Sequence, residues 1–278
     1  TIDGFKKQMQ AEGFTENVNI RYKTMDVSFQ TTLIAQMIAS LQSKKPDILV
    51  VLSTPVAQVA KGMVHDIPIV YTSIADPVAT GILKTQHQAE KNITGCSDMQ
   101  DLNAFLEFTK TLLPKAQHIG FLYSTSEAND EALLHTLKKH AKEFKMKVIA
   151  IPIDQERDIP VRIQALKNKA DFIFTSHSGT IQPALPVIAA EAEKMHIPIL
   201  NADCQAVRDG LALASHGVSF EQVGKKSGKI AARLLQGTPI NKITPQYLSK
   251  EDHKAVVNQA IAKKYAIQIP RNKAIEEV

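Results

Sequence analysis

The stretch that decides the fold is PDILVVLSTP at 46–55, and the chain repeats its pattern as ADFIFTSHSGT at 170–180. In each copy an apolar run leads into a turn rich in serine and threonine. A helical stretch follows, and then IPIV at 67–70 or IPIL at 197–200. Apolar runs without strict alternation are typical of parallel strands covered on both faces. Any two α/β units share some of this, so the repeat leaves a true duplication open. It predicts two strand–helix–strand units. The second is expected to have the longer helix, because more residues separate Asp171 from Ile197 than separate Asp47 from Ile67.

The same order of strand and helix continues through the other parts of the 278 residues. The predicted strands are 19–22, 48–52, 67–71, 118–123, 147–151, 171–175, 197–201 and 212–215. The predicted helices are 31–43, 55–63, 100–113, 127–144, 159–169, 181–195 and 220–236. This order predicts α/β architecture with two Rossmann-like, doubly wound parallel-sheet domains. The length also suits two domains better than one.

Composition excludes several classes of protein. Hydrophobic residues make up 44% and charged residues 22%, a globular balance that argues against disorder. The 33 basic and 28 acidic residues are spread along the chain without a basic stripe, so we expect no nucleic-acid partner. No apolar run approaches the ~20 residues of a membrane helix. Histidines at metal-ligand spacing and phosphate-binding glycine loops are absent, so we expect no metal and no cofactor.

The chain opens within a helical pattern, with Ile2, Phe5 and Met9 on one face. An open sheet normally begins with a strand, and no signal-like segment is present. We therefore expect that a first strand and a signal segment lie upstream of Thr1.

Polar turns follow the predicted strands, where open parallel sheets bind their ligands. Ser53 or Thr54 can cap the helix that Pro55 begins, and Gln58 lies one turn further on. Helix N-termini suit carboxylates and phosphates, although capping alone explains the same residues. The next turn, YTSIADPV at 71–78, carries Ser73 and Asp76, which could accept a ligand ammonium or hydroxyl or form an Asx turn.

The second half of the chain offers corresponding residues. Ser126, Glu127 and Asn129 follow the strand that ends near Tyr123, and capping of the next helix explains them equally well. Ser178 lies in the serine-rich turn of the second repeat. Asp203 follows the second IPI strand, at the position that Asp76 has after the first. This parallel favours both aspartates as ligand-binding residues, and we expect alanine at either one to weaken binding.

Several motifs carry a family resemblance. They are STPVAQ at 53–58, ADPV at 75–78, TGCSD at 94–98, LLP at 112–114, YSTSEAN at 123–129, Gly217-Val218 with Gly224 and Gly228, VVN at 256–258 and IQIP at 267–270. In this order they resemble the solute-binding proteins of ABC transporters, in the subgroup that includes tryptophan- and phenylalanine-binding members. The resemblance spans nearly the whole chain.

The resemblance implies the type I periplasmic binding protein fold, with a ligand closed between two lobes. The implied lobes are 1–97 with 217–245, and 98–216 with 246–278. Hinge crossings then fall near 95–98, 215–217 and 245–247. It further implies an extracytoplasmic protein, periplasmic or lipoprotein-anchored, that acts as a monomer with an ABC transporter permease. The captured solute would be small and polar, an amino acid and possibly an aromatic one.

The resemblance also implies site residues. The family's Thr-Pro, Asp-Pro and Ser-Glu-x-Asn turns face the cleft, and they correspond to Thr54, to Asp76 and to Ser126 with Glu127 and Asn129. Two departures stand out. Ser178-Gly179 replaces the usual Asp-Asn, and His216 stands where tyrosine is common before Gly217. Because the lost aspartate is a partner for an α-ammonium, Asp203 or Glu127 would have to substitute for it.

Two other classes of function stay open on the sequence. Cofactor-independent amino-acid racemases place two cysteines on either side of a substrate between α/β domains, and Cys96 and Cys204 both follow strand-like runs. The effector-sensing domains of repressors share the two-domain architecture. Export of the chain distinguishes a binding protein from a repressor, and turnover of a substrate distinguishes it from a racemase.

Overall fold

The computed structural model describes residues 1–271 and 274–278, so positions 272 and 273 of the predicted second lobe lie outside the described residues. The chain forms two compact units. Unit 1 consists of Thr1–Met99 and Ser219–Ser249, and unit 2 of Gln100–Val218 and Lys250–Val278. The chain therefore passes from one unit to the other three times. Each division lies a few residues beyond the crossing expected from the sequence.

The helices of the described residues are α1 (Ile2–Ala11), α2 (Ile34–Gln42), α3 (Thr54–Met63), α4 (Leu102–Leu112), α5 (Ala128–Glu143), α6 (Ile159–Arg162), α7 (Leu185–Lys194), α8 (Cys204–Arg208), α9 (Phe220–Leu235) and α10 (Gln259–Lys264). Several begin at a side chain that accepts a backbone N–H of the first turn, which leaves fewer donors unsatisfied. Asp101, Ser219 and Asn258 cap α4, α9 and α10 in this way. Within the described part of the chain, no helix is both long enough and apolar enough to cross a membrane.

The strands of the described residues are β1 (Leu49–Leu52), β2 (Ile69–Ile74), β3 (Ile93–Ser97), β4 (His118–Ser124), β5 (Lys147–Ile153), β6 (Phe172–Thr175), β7 (Ile199–Asn201), β8 (Ala214–Val218), β9 (His253–Val257) and β10 (Ile275–Glu277). In unit 1, β1, β2 and β3 form a parallel sheet in that order. One face packs on α2 and α3 through a core that includes Ile38, Val51 and Ile69. The other face packs on α1 and α9 through Phe5 and Ile230.

Glycine lets α1 and α9 approach closely in unit 1. A Cβ at Gly224 would lie 2.0 Å from the carbonyl oxygen of Thr1, and a Cβ at Gly228 would lie 2.8 Å from that of Phe5. Any larger residue would have to push the helices apart. The structure thus gives a packing reason for two glycines that carry the family resemblance.

Unit 2 contains a sheet with the order β10-β9-β8-β7-β6-β4-β5, in which β8 and β9 are antiparallel and the other neighbours are parallel. Phe105, Phe121 and Phe174 fill the core on one face, with the ring of Phe174 centred 4.5 Å from Phe105 and 5.7 Å from Phe121. Ile173 and Ile188 pack on the opposite face. Both faces are therefore covered. The carboxyl ends of β4, β6 and β7 lie at the same end of the sheet, because these strands are parallel. This arrangement confirms the predicted fold class.

Three expectations about individual elements were wrong. Residues 19–22 form a loop and not a strand, because the side chain of Asn19 bonds the backbone of Gly13 and Thr15 and closes a turn. The second repeat does not have the longer helix, since α3 and α7 each contain 10 residues. Its additional residues lie in the turn between β6 and α7. The predicted helix 159–169 is the short α6 followed by a 3-10 turn.

Candidate functional site

In unit 1 the turn from β1 into α3 places Ser53 in an unusual backbone conformation. Its φ is +75°, a strained value for a residue that is not glycine. Ser53 is the N-cap residue of α3, but its side chain accepts no hydrogen bond from the helix and is exposed. Thr54 begins the helix and is buried. The Ser53 hydroxyl therefore lies beside the N–H groups of the first helical turn and does not cap them.

Asp76 forms the turn that follows β2. Its Oδ1 accepts from the backbone N–H of Val78 at 3.0 Å and of Ala79 at 2.9 Å, which is the Asx turn that the sequence allowed. Gln58 braces the same turn, because its Nε2 donates to the carbonyl oxygen of Thr80 at 2.9 Å. The second carboxylate oxygen of Asp76, Oδ2, has no partner among the described residues. The half-buried carboxylate thus keeps one oxygen available for a cation or a hydroxyl.

Ser73 lies at an irregularity of β2. The register against β3 shifts between Thr72 and Ile74, and Ser73 has a φ of +56°. Its Oγ lies 3.2 Å from the Oγ1 of Thr1. The bulge re-aims the end of the strand toward α1, a feature that hydrophobic periodicity does not reveal.

Sequence reasoning missed two tyrosines at this end of unit 1. Tyr71 lies in β2 and is completely buried. Tyr247 follows Gln246, whose backbone pairs with the carboxyl end of β3: the N–H of Gln246 donates to Gly95 at 2.8 Å, and the N–H of Ser97 donates to Gln246 at 2.9 Å. Both phenol oxygens are buried without a hydrogen-bond partner in the described part of the chain. The only sequence signal was that Tyr247 falls within the predicted crossing 245–247.

These phenols stay protonated. Burial, with smaller contributions from the charges of Asp76 and Cys96, raises the pKa of Tyr247 to about 12. Burial also raises the pKa of Tyr71, with a smaller contribution from Tyr247. Both hydroxyls are therefore hydrogen-bond donors at any physiological pH.

In unit 2, Glu127 connects the carboxyl ends of β4 and β6. Its Oε1 accepts from the hydroxyl of Ser178 at 2.9 Å and from the N–H and hydroxyl of Thr180 at 2.9 and 3.0 Å. Its Oε2 accepts from the N–H of Gly179 at 3.0 Å. Glu127 is 8% exposed and Ser178 is completely buried. The sequence predicted both as site residues, and the structure brings them together as a bonded pair.

Asp130 is a second buried carboxyl that sequence reasoning missed. It lies in the first turn of α5, and it accepts from the N–H of Ser124 at 2.7 Å and from the hydroxyl of Ser176 at 2.8 Å. Burial raises its pKa to about 6, although both hydrogen bonds act in the opposite direction, and the charge of Glu127 adds to the rise. The signal that could have found it is an acidic residue at the start of a helix that follows a strand end.

The Asp130 carboxyl makes stability depend on pH. A carboxyl whose pKa is higher in the folded than in the unfolded protein binds protons on folding, so the free energy of unfolding falls as pH rises from about 4 to about 6. Asp130→Asn keeps both contacts if its oxygen accepts from Ser124 and its amide donates to Ser176. We expect the stability of the wild type to fall by up to about 3 kcal/mol relative to this variant between pH 4 and pH 7. Urea unfolding at four pH values measures the difference, and parallel profiles would contradict the assignment.

Two further predicted residues flank Glu127. Ser126 is exposed, and its Oγ lies 3.0 Å from that of Ser124. Asn129 is half-buried, and its Oδ1 is buried without a hydrogen-bond partner among residues 1–271 and 274–278. An unsatisfied buried carbonyl is costly, so Asn129 is the predicted residue of unit 2 with the clearest capacity for a ligand donor.

Asp203 caps a helix in the folded chain. It is the N-cap residue of α8, and its Oδ1 accepts from the N–H of Gln205 at 2.8 Å. Asn201, at the end of β7, accepts from the N–H of Asp203 at 2.6 Å and donates to Thr175 at 2.7 Å. These bonds hold the turn after β7 in place. Asp203 thus matches Asp76 in topology and also in using one oxygen to build its own turn.

The cysteines and His216 complete the predicted features. Cys96 lies in β3 and Cys204 begins α8, and both are buried. Burial raises the pKa of the Cys204 thiol, which disfavours the thiolate that proton abstraction would need. Burial and the neighbouring His253 lower the pKa of His216, whose ring lies against Phe108. In the residues that the structure describes, no group of three or more His, Cys, Asp or Glu could hold a metal ion.

Known proteins share both the sequence and the fold of this chain. Residues 1–276 match the family described as "ABC transporter substrate binding protein". The chain is 29% identical over 265 residues to the "Tyrosine-binding protein" of Clostridioides difficile (strain R20291), which covers 95% of this chain and 76% of that relative.

Two solved structures have the same fold. The ligand-free, open structure of a substrate binding protein with adhesive properties from Clostridium difficile is 30% identical, with a TM-score of 0.76 and coverage of 99% of this chain and 92% of that one. An ABC domain from Streptococcus pneumonia in complex with L-Trp is 24% identical, with a TM-score of 0.93 and coverage of 100% and 94%, and this likeness shows the fold alone. Because the family match extends over nearly all 278 residues, the chain belongs to the ABC transporter substrate-binding protein family.

Proposed function

We propose that this protein is the extracytoplasmic solute-binding component of an ABC importer and that its solute is an amino acid, with aromatic amino acids as the first candidates. It captures the amino acid as a monomer and delivers it to the transporter permease. The family is one of binding proteins and not of enzymes, so the solute leaves chemically unchanged. The two-cysteine racemase has no support in this family.

The match to the tyrosine-binding relative over almost the whole chain is the observation that carries the proposal. Polar groups with unused hydrogen-bonding capacity at the strand ends support it. In unit 1 they are the Ser53 hydroxyl and Oδ2 of Asp76, and in unit 2 they include Oδ1 of Asn129. A zwitterionic amino acid needs an acceptor for its ammonium group and donors for its carboxylate, and both kinds of group are present.

The predicted site residues divide into two roles under this proposal. Direct contacts come from Ser53, Thr54, Ser73 and Asp76 in unit 1 and from Ser126 and Asn129 in unit 2. The other four position the turns that carry these contacts: Gln58 braces the Asp76 turn, Glu127 and Ser178 hold residues 178–180, and Asp203 builds the turn after β7.

Binding would act through closure of two lobes about the three chain crossings. In this scheme the free protein samples open and closed forms, and the amino acid stabilises the closed one because it contacts both lobes only there. The permease then recognises the closed, loaded form. The specific contribution of this chain is a set of rigid, hydrogen-bonded turns, which reduces the ordering required when the ligand binds.

A thermal-shift screen tests the ligand class. The panel contains L-tyrosine, L-tryptophan and L-phenylalanine, small aliphatic amino acids, D-tyrosine and monosaccharides. A ligand at 100 times its Kd stabilises the folded protein by about 2.7 kcal/mol, so we expect a clear rise in Tm with at least one L-amino acid. A rise with sugars alone, or with none of the panel, would contradict the proposal.

A further inference from the structure

We propose that the hydroxyl of Tyr247 binds the carboxylate of the solute, beside the ammonium group that Asp76 accepts, so that unit 1 recognises the zwitterionic head of an α-amino acid and not its side chain. The inference rests on the proposed function and deepens it.

The backbone places these groups at one end of the sheet. Residues 246–247 continue the unit 1 sheet beyond β3, since Gln246 bonds the backbone of Gly95 and of Ser97. Asp76 follows β2, the strand next to β3. Ser97 connects the two segments, because its Oγ donates to the carbonyl oxygen of Ala75 at 3.2 Å and its N–H donates to that of Gln246 at 2.9 Å. The charge of Asp76 also contributes to the raised pKa of Tyr247. Tyr71 pairs in the sheet with Gly95, the residue that the N–H of Gln246 bonds.

The ring of Tyr71 and the phenol oxygens of both tyrosines are buried. Tyr71 is completely buried, and its ring lies over Gly95, where a Cβ would come within 2.6 Å of its Cγ. Both phenol oxygens are buried without a hydrogen-bond partner in the described residues. A buried hydroxyl without a partner destabilises a protein, and unsatisfied groups of this kind often serve a functional site. A ligand acceptor at Tyr247 would satisfy the hydroxyl.

The chemistry of the pair suits a zwitterion. Tyr247 keeps its proton because burial raises its pKa to about 12, so it presents a donor and no negative charge. Asp76 presents an acceptor oxygen, Oδ2, and a negative charge. A carboxylate beside a neutral donor matches the ammonium and carboxylate of one amino acid, which are separated by a single carbon. A sugar has no cation to place against Asp76.

The test compares L-tyrosine with L-tyrosinamide, which keeps the ammonium and the ring but lacks the carboxylate charge. Calorimetric titrations use the wild type, Tyr247→Phe and the control Tyr265→Phe. Tyr265 lies at the end of α10 in unit 2, and its hydroxyl donates to the carbonyl oxygen of Ile197 at the start of the β7 segment. We expect Tyr247→Phe to weaken L-tyrosine binding roughly 10–100-fold. Binding of L-tyrosinamide to Tyr247→Phe should weaken by less than about threefold, because this ligand has no carboxylate charge for the Tyr247 hydroxyl to bind. Tyr265→Phe should change neither affinity.

The ligand-free stability of Tyr247→Phe is a second readout. Because the hydroxyl has no hydrogen-bond partner among residues 1–271 and 274–278, its removal should leave the Tm unchanged or raise it, whereas a structural hydroxyl would lower the Tm. Unchanged affinity of Tyr247→Phe for L-tyrosine, or equal losses for acid and amide, would overturn the inference. If L-tyrosinamide binds too weakly for its Kd to be measured, the L-tyrosine affinities of the wild type and Tyr247→Phe decide the outcome. A wild type that binds no amino acid at all would instead refute the proposed function, and the inference with it.

Discussion

Replacing Glu127 with alanine should lower the free energy of unfolding by roughly 3–5 kcal/mol, because each buried donor left unsatisfied costs about 1–3 kcal/mol. The change removes the acceptor for two backbone N–H groups and two hydroxyls in the segment 178–180. Part of the loss is recovered, since the Ser178 hydroxyl also accepts from the N–H of Thr180 and of Ile181. The segment should loosen, and its amide hydrogens should exchange faster.

Glu131→Ala is the matched control for this prediction. Glu131 lies on the same helix, α5, but it is exposed, so its loss should change stability by no more than about 0.5 kcal/mol. Urea unfolding gives the stabilities, and hydrogen exchange at Gly179 and Thr180 reports the local effect. A loss of less than about 1 kcal/mol in Glu127→Ala would mean that the segment holds its shape without the carboxylate.

The second large effect concerns affinity. Asp76→Asn should weaken binding of the amino acid by roughly 10²–10³-fold, about 3–4 kcal/mol, because it removes the charge that we propose accepts the ligand ammonium. The asparagine oxygen can still accept from Val78 and Ala79, so the turn should keep its shape. The Tm of the ligand-free protein should therefore stay close to that of the wild type while the Kd rises.

Asp171→Asn is the control for removing the charge of a carboxylate that accepts two backbone N–H groups. Asp171 also accepts two backbone N–H groups, those of Gln117 and His118, both at 2.7 Å. It directly precedes β6, so it lies at the amino end of that strand, and the candidate residues of unit 2 follow the carboxyl ends. Its replacement should leave the Kd unchanged. Equal affinities in Asp76→Asn and the wild type would remove Asp76 from the site.

The fold could be read from the sequence wherever burial dominates. Strands β1, β2 and β4 to β8 were found because both of their faces are covered, which selects runs of valine, isoleucine and leucine. Strand β3, with the sequence ITGCS, was missed because Gly95 and its polar neighbours interrupt the apolar run, although every residue in it is buried. Strand β9 was missed because it begins with the polar residues His253 and Lys254, and β10 was missed because two glutamates follow Ile275 in this edge strand.

The candidate site could be predicted from the sequence as a set of turns, but the contacts within it could not. The rule that ligands bind at the carboxyl ends of parallel strands selected these turns, and their role in ligand binding stays a prediction. It could not show that Glu127 bonds Ser178, because the two lie 51 residues apart and their contact depends on strand order. The same limit applies to Tyr71 and Tyr247, which only the pairing of Gln246 with β3 brings together. Asp130 was missed because its burial depends on the packing of α5.

The most direct test of the account is calorimetric titration of the ligand-free protein with L-tyrosine, L-tryptophan and L-phenylalanine, followed by recovery of the ligand and its mass spectrum. We expect saturable binding of at least one of them at a single site, with a Kd of about 1 μM or tighter. The recovered amino acid should be chemically intact and of unchanged configuration. No binding at millimolar concentrations, or a bound amino acid that returns racemised or otherwise altered, would contradict the account.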